Sequence, residues 1–317
     1  MAESTPDSAS FETFFAGSKA VDKNGRPLRL YHGTVNDFSV FDSSRSNVDG
    51  YFGAGFYFSS DATDVAANYA TTEGSDFAAR YTSEVEARTD DSETDPDLTV
   101  DEINAEVLAR MAQNSGTTMP VYLAIKNPFI IGSANDSYLE FCDGFDGQGE
   151  FGVKTGRLQR FIEELKWVME GYNAEREFDD LLAALQEEDL IQAPGISGAT
   201  LINEVNRLIE PCISNFDDKP VISEMVRETI ERCGFDGIID HTVYEQFGIK
   251  KDGYGHKVPG LPGMSQDTVH YIVFKPAQVK SSIGNNGDFD VANPDIRFSM
   301  VDLDEYDADS DTKAPCQ

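Results

Sequence analysis

The chain is poor in basic residues: 25 Lys and Arg stand against 57 Asp and Glu, a formal charge of −32 over 317 residues. A surface of that sign repels phosphate backbones, which argues against broad nucleic-acid or anionic-membrane binding and leaves room only for a local basic patch. Cysteine is scarce. Cys142, Cys212, Cys233 and Cys316 form no C-x-x-C pair, and none of the four His stands at metal-ligand spacing. Free thiols in a reducing cytosol are therefore expected, not a disulfide framework. Asp143, Asp146 and Glu150 lack the spacing of an EF-hand loop, so no metal is expected. No apolar run approaches the about 18 residues of a membrane span, and no charged-then-apolar leader opens the chain. No internal repeat is found.

What remains is globular. Hydrophobic residues make up 40% and aromatics 11%, and a chain of this length buries roughly three quarters of its unfolded surface. Residues 1–9 read as a flexible start. Phe11, Phe14 and Phe15 belong to a short helix capped by Ser10 that packs on the first sheet. Lys23 to Pro27 has the composition of a hairpin turn. Thr89 to Asp97 is acidic enough to read as a solvated loop. Pro120 to Ile131 is a strand interrupted by Asn127-Pro128. From Leu158 to Leu190 apolar residues recur at helical spacing (Phe161, Leu165, Val168; Phe178, Leu181, Leu185), and helices follow near 199–209 and 220–233. Trp167 in this block reads as core. Gly234 to Asp240 and Val269 to Phe274 read as strands. Residues 301–317 form an acidic tail expected to be disordered.

The chemistry concentrates between Arg29 and Ala70. Leu30-Tyr31 reads as a strand end and His32-Gly33-Thr34 as the turn leaving it. Gly55-Phe56-Tyr57-Phe58 reads as a second strand, since aromatics suit a half-buried pleated surface. Ser60 or Asp61 would cap a helix on which Val65 and Tyr69 share a face. A Gly beside a His lets backbone approach a flat ligand, two tyrosines can sandwich an aromatic ring, and an imidazole can bond a sugar hydroxyl. A structural role for each is the alternative.

His32-Gly33-Thr34, Gly55-Phe56-Tyr57-Phe58 and Ala66-Ala67-Asn68-Tyr69 together resemble the His–Tyr–Glu branch of ADP-ribosyltransferases, which includes the poly(ADP-ribose) polymerases. The run Ser18-Lys19-Ala20-Val21-Asp22 through Gly25-Arg26-Pro27-Leu28 to Tyr31-His32-Gly33-Thr34 more closely resembles the ADP-ribosyltransferase-like domains of phage and mobile-element polyvalent proteins. Gly234 to Asp240 and Tyr271 to Ser281 resemble that family's later strands. The resemblance covers about residues 11–81, 121–131 and 234–299. It implies an α+β fold: a split mixed β-sheet core over about residues 10–300, with a helical insertion at about 158–232. It also implies NAD as substrate. His32, Gly33, Thr34, Phe56, Tyr57 and Tyr69 would bind it. His32 would hold the adenosine-side ribose, the Gly33 backbone the carboxamide, and Tyr57 and Tyr69 the nicotinamide ring. The segment from Thr34 to Gly53 would cover the adenosine half or serve as plain surface loop.

Breaking the nicotinamide–ribose bond builds positive charge on the sugar, so a carboxylate is wanted beside it. In the polymerases a Glu stands directly before the Tyr-Ile-Val strand; here that position is His270. Glu245, in a turn after the Gly-Ile-Ile strand, is one candidate for the missing acid, and His270 itself is another. Asp267, Gln278 or no acid at all complete the set. The catalytic set implied is thus His32, Tyr57, Glu245 and His270. The missing Glu argues for single transfer or hydrolysis over polymer elongation. The functions left open are mono-ADP-ribosylation of a host protein in the host cytosol, NAD glycohydrolysis, and a catalytically silent fold that binds NAD or a partner. A tRNA 2′-phosphotransferase relationship fits the charge poorly.

Overall fold

The structure is a computed structural model. It describes residues 9–35, 38–46, 50–71, 77–92, 99–113, 116–132, 137–140, 157–187, 195–209, 219–283, 285, 289 and 293–296. The acidic tail and Asp143, Asp146 and Glu150 lie outside these residues.

Seven strands form one mixed sheet: β1 (Leu30–Thr34), β2 (Phe56–Ser59), β3 (Thr117–Leu123), β4 (Pro128–Ile131), β7 (Gly237–Asp240), β10 (His270–Val273) and β11 (Val279–Ser281). Their order is β11-β3-β1-β2-β10-β7-β4. All neighbours are antiparallel except β4 and β7. The pairs β5 (Tyr138–Glu140) with β6 (Gly195–Ser197), and β8 (Ile249–Lys251) with β9 (Lys257–Pro259), stand apart as small ribbons. The sheet is split at one seam. β1 and β2 are in register only at Tyr31↔Ser59, although β1 continues for three residues and pairs with β3 throughout. The result is the α+β, split-sheet architecture expected. His32, Gly33 and Thr34 lie within β1, not in a turn after it.

Pairing registers define rows across the sheet. Tyr31, Ser59, His270, Asp240 and Ile131 stand in one row. Two residues along, Tyr57, Ile272, Ile238 and Phe129 stand in another. Because side chains alternate, these rows share a face. Phe58, Tyr271, Ile239 and Ile130, the row between them, point the other way.

The helices divide over the first face. α2 (Ala62–Asn68) lies over β1 and β2. Four helices, α5 (Arg157–Gly171), α6 (Glu175–Glu187), α7 (Gly198–Ile209) and α8 (Lys219–Arg232), bury Phe161, Leu165, Leu181, Val205 and Met225 against Phe129, Ile238 and Ile272. The periodic stretch 158–190 is two helices, not one. The chain reverses at Asn173, the one described non-glycine residue with positive φ (57°). Trp167 corrects its expectation: it is 53% exposed, with the Arg232 guanidinium 3.6 Å from its ring centre. It falls opposite the stripe set by Phe161, Leu165 and Val168, so helical position outweighs residue type.

On the other face Leu30, Phe56, Phe58, Val121, Leu123 and Tyr271 form a second core. Tyr122, between Val121 and Leu123, turns back to the first face, and there α1 (Ala9–Phe15) packs its three Phe against it, with Ser10 inside the helix instead of capping it. α3 (Phe77–Ser92) and α4 (Val100–Gln113) pack on one another. α3 carries the acidic stretch in helix as far as Ser92, where a loop from Thr89 was expected. No helix among the described residues is long and apolar enough to cross a membrane.

Candidate active site

The first face collects a polar group at the seam. Asp61 caps α2, its carboxylate accepting from the Thr63 N–H at 2.8 Å. This orients α2 so that Asp64, Asn68 and Tyr69 reach the row of Ser59 and His270. The Asp64 carboxylate is wholly buried. It accepts from Asn68 Nδ2 at 2.8 Å and from His270 Nε2 at 3.0 Å. The His270 ring meets the Tyr69 ring edge-on, with centroids 6.2 Å apart. Asp240 lies directly across β7–β10 from His270. Burial pushes its carboxyl above the ordinary carboxylate value, while Thr242 and the neighbouring His270 and His241 pull it down. His270 thus stands between two carboxylates and beside one tyrosine.

Gly33 belongs to the same face and touches α2. A Cβ there would come within 2.5 Å of Tyr69 Cβ, so only glycine lets β1 lie flat against the end of that helix. Tyr57 projects from the next row. Its hydroxyl donates to the Gly53 carbonyl at 2.8 Å and accepts from the Phe52 N–H at 3.1 Å. Burial first, then the Glu224 and Tyr69 charges, raise its pKa well above the ordinary phenol value, so it stays a neutral phenol.

The 50–55 loop that holds Tyr57 is itself clamped from α8. Gly53 adopts φ +69°, and a Cβ there would strike Glu224. Glu224 Oε2 accepts from the Ala54 N–H at 2.7 Å. Arg227 grips the same carboxylate with Nε and Nη2, and Glu231 with Nη1. The helical block therefore contributes more than packing: it fixes the loop above the tyrosine.

His32 enters from the opposite face. Its ring packs on Phe41 and Phe58, with centroids at 4.9 and 5.4 Å. It reaches across the seam to the Tyr57 carbonyl, 2.9 Å from Nδ1. A carbonyl only accepts, so Nδ1 carries the hydrogen, and in the neutral ring Nε2 keeps a lone pair for a hydroxyl. The imidazole occupies the place where a β1–β2 backbone bond would otherwise form. Burial lowers the His32 pKa below its ordinary 6.5, with the Tyr57 carbonyl working against this. As pH falls, the unfolded chain takes up the proton first. The stability His32 contributes above about 6.5 is therefore lost as pH drops through its lowered folded value. Asp240, shifted upward, has the opposite sign. In urea titrations the wild-type midpoint should fall more between about pH 7.5 and about pH 5 than that of His32→Gln, where Asp240 is common to both.

Two expected positions lie elsewhere. Phe56 is 6% exposed and packs on Phe41 in the second core; alternation along β2 turns its ring away from Tyr57, which corrects its expected place against a ligand. Glu245 is exposed on a π-helical turn, Tyr244–Gly248. It lines a cavity of about 190 Å³ with Tyr51, Phe52, Thr242 and Gln246. Thr34 ends β1 opposite Thr117. Gln278 Nε2 is bound to the Ala124 and Asp236 carbonyls, and Asp267 is exposed in the approach to β10. A larger cavity, about 380 Å³, lies around Phe14, Asp236 and Gln278; neither cavity is lined by His32, Tyr57, Tyr69 or His270. Among the described residues no cluster of His, Cys, Asp and Glu would hold a metal ion. Burial pushes the Cys233 thiol up to about 12, which leaves it unreactive.

Sequence reasoning missed Asp64, Asp240 and Glu224. Their partners are 206, 30 and 170 positions distant, so no local pattern carries them; only the capped helix beside Tyr69 pointed toward Asp64.

No curated protein and no solved structure matches the chain. Residues 22–95, which span β1, β2, α2 and α3, match the family described as ADP-Ribosyltransferase in polyvalent proteins. The split mixed sheet, with glycine and tyrosine meeting at its seam, agrees with that match, and the chain carries an ADP-ribosyltransferase-like domain.

Proposed function

We propose that this protein cleaves NAD at the nicotinamide–ribose bond and passes the ADP-ribose to an acceptor protein. The family match supports ADP-ribosyl transfer in general. The observation that carries the finer reading is the meeting of Gly33, Tyr69 and His270 on Tyr57's face of the sheet. The Gly33 backbone suits a carboxamide, and Tyr57 and Tyr69 suit a flat ring. His32 Nε2 is a ready acceptor for a ribose hydroxyl. His270, backed by Asp64, takes the part of the absent Glu: it receives the proton of the attacking acceptor group. Asp64 and Asp240 put negative charge beside a sugar that becomes cationic. Glu245 is the competing candidate for that part. The acceptor is a host protein met in the cytosol.

Incubation of the full chain with NAD labelled in the adenylate half, in a cell lysate, tests this. Labelled protein bands are expected. Free ADP-ribose alone would assign the same site to hydrolysis, and unchanged NAD would refute the enzymatic reading.

A further inference from the structure

Asn68 is a buried amide with both of its side-chain hydrogens committed. Its Nδ2 lies 2.8 Å from Asp64 Oδ1 and 2.8 Å from the Pro262 carbonyl. Both partners only accept, so the NH₂ end of the amide must stand there, one hydrogen serving each. Asn68 is 2% exposed and Asp64 is fully buried, so bulk water does not replace a lost donor. Serine at this position supplies one hydrogen for two acceptors, and leucine, of similar volume, supplies none.

The Pro262 carbonyl belongs to a strap, residues 260–264, that runs from the β8–β9 ribbon toward β10. The strap is fastened on both sides of Pro262. The Gly260 and Leu261 N–H groups donate to the Gly248 and Phe247 carbonyls at 2.9 and 2.8 Å. Gly263 adopts φ +78° and lies on the first turn of α2, where a Cβ would come within 2.6 Å of the Thr63 carbonyl oxygen. Asn68 grips the strap between these points. From there the bonds continue inward, Asn68 to Asp64 Oδ1 and Asp64 Oδ2 to His270 Nε2 at 3.0 Å.

The last bond decides what the imidazole can do. A carboxylate only accepts, so it keeps the ring hydrogen on Nε2 and leaves the lone pair on Nδ1, where a proton can be received. That holds while the carboxylate keeps its angle, and Asn68 pins the oxygen that His270 does not use. Without that bond the carboxylate is free to turn about its own axis, and nothing assigns the hydrogen to one nitrogen. We propose that Asn68 is a positioning residue that couples the strap to the base: His270 holds its productive tautomer only while residues 260–264 are seated on α2. The effect on turnover rests on the transferase reading, whereas the coupling is a property of the bonded groups alone.

The full chain, without NAD and with isotope-labelled histidine, is read by NMR. The His270 ring, identified by its absence in His270→Gln, should carry its hydrogen on Nε2 in the wild type. Asn68→Ser and Asn68→Leu should mix the tautomers and speed exchange of that hydrogen with water by at least roughly tenfold. Gly263→Ala alters none of the bonded side chains. Its Cβ lifts the strap, and the His270 signals should move in the same sense, with the far-ultraviolet circular dichroism of the wild type. In nicotinamide release, Asn68→Ser and Gly263→Ala should lower kcat about tenfold and leave KM for NAD within about twofold, because the base is disturbed and the substrate contacts are not. A wild-type hydrogen on Nδ1, or His270 signals like those of wild type in Gly263→Ala or in both Asn68 variants, would overturn the coupling, as would a loss carried by KM alone. A wild type that releases no nicotinamide would strike the transferase reading and leave the tautomer result to decide the coupling.

Discussion

His270→Ala should lower nicotinamide release from NAD by about a hundredfold or more, the scale of losing a positioned acid–base group, or roughly 2.7 kcal/mol of barrier. The imidazole stands on the same face of the sheet as Tyr57, one row away, and it is held by a buried carboxylate. Alanine removes the proton acceptor and strands Asp64 with Asn68 as its one remaining side-chain partner of those described above. Asp64→Asn isolates the second effect. Both Asp64 oxygens accept, one from Asn68 and one from His270, so an amide there keeps both contacts only if His270 accepts at Nε2 and moves its hydrogen to Nδ1, which takes away the lone pair that would receive a proton. The ring then holds the wrong tautomer while the volume is kept, and a loss between wild type and His270→Ala is expected. Glu245→Gln made alongside is the discriminating comparison. A larger loss there than in His270→Ala would hand the role to Glu245.

Glu224→Ala should destabilise the fold by about 2–3 kcal/mol, with Tm lowered by roughly 3–5 °C. Breaking a fully buried pair costs more, but these side chains keep 22% and 16% exposure, and Arg227 retains Glu231. The substitution leaves a guanidinium half-satisfied under Phe274 and the Ala54 N–H without its acceptor. Glu224→Gln still offers that N–H an oxygen and should cost about 1 kcal/mol. Turnover should fall with stability in both variants, because the loop that Glu224 clamps also holds the Tyr57 hydroxyl. Scanning calorimetry beside the nicotinamide-release assay checks the pair.

The parts of this fold legible in the sequence are those written locally. The strand of Gly55 to Phe58, the Asp61 cap and the apolar stripes of α5 and α6 follow from spacing of two or 3.6 residues. Gly33 was read as letting backbone approach a flat ligand; that what lies against it is Tyr69, from the end of α2, is a tertiary fact. The ribbon of β8 and β9 and the π-helical turn before it went unread, since that stretch has neither clean alternation nor a helical stripe. Trp167 was misread by type. Most instructive is His32, which the resemblance sets on the same NAD molecule as the two tyrosines. It lies on the opposite face and meets Tyr57 only at its carbonyl, a geometry that depends on how far two strands part.

The central claim is that the seam between β1 and β2, with Tyr57, Tyr69 and Gly33 on one side of it, receives the nicotinamide ring. The most direct measurement is an NMR titration of the full chain with nicotinamide, reading the Tyr57 and Tyr69 ring signals and the Gly33 amide. Concerted, saturable shifts of all three, with the Gln246 side chain unmoved, are predicted. Saturable shifts confined to either of the two cavities elsewhere in the fold, with those three groups silent, would contradict it.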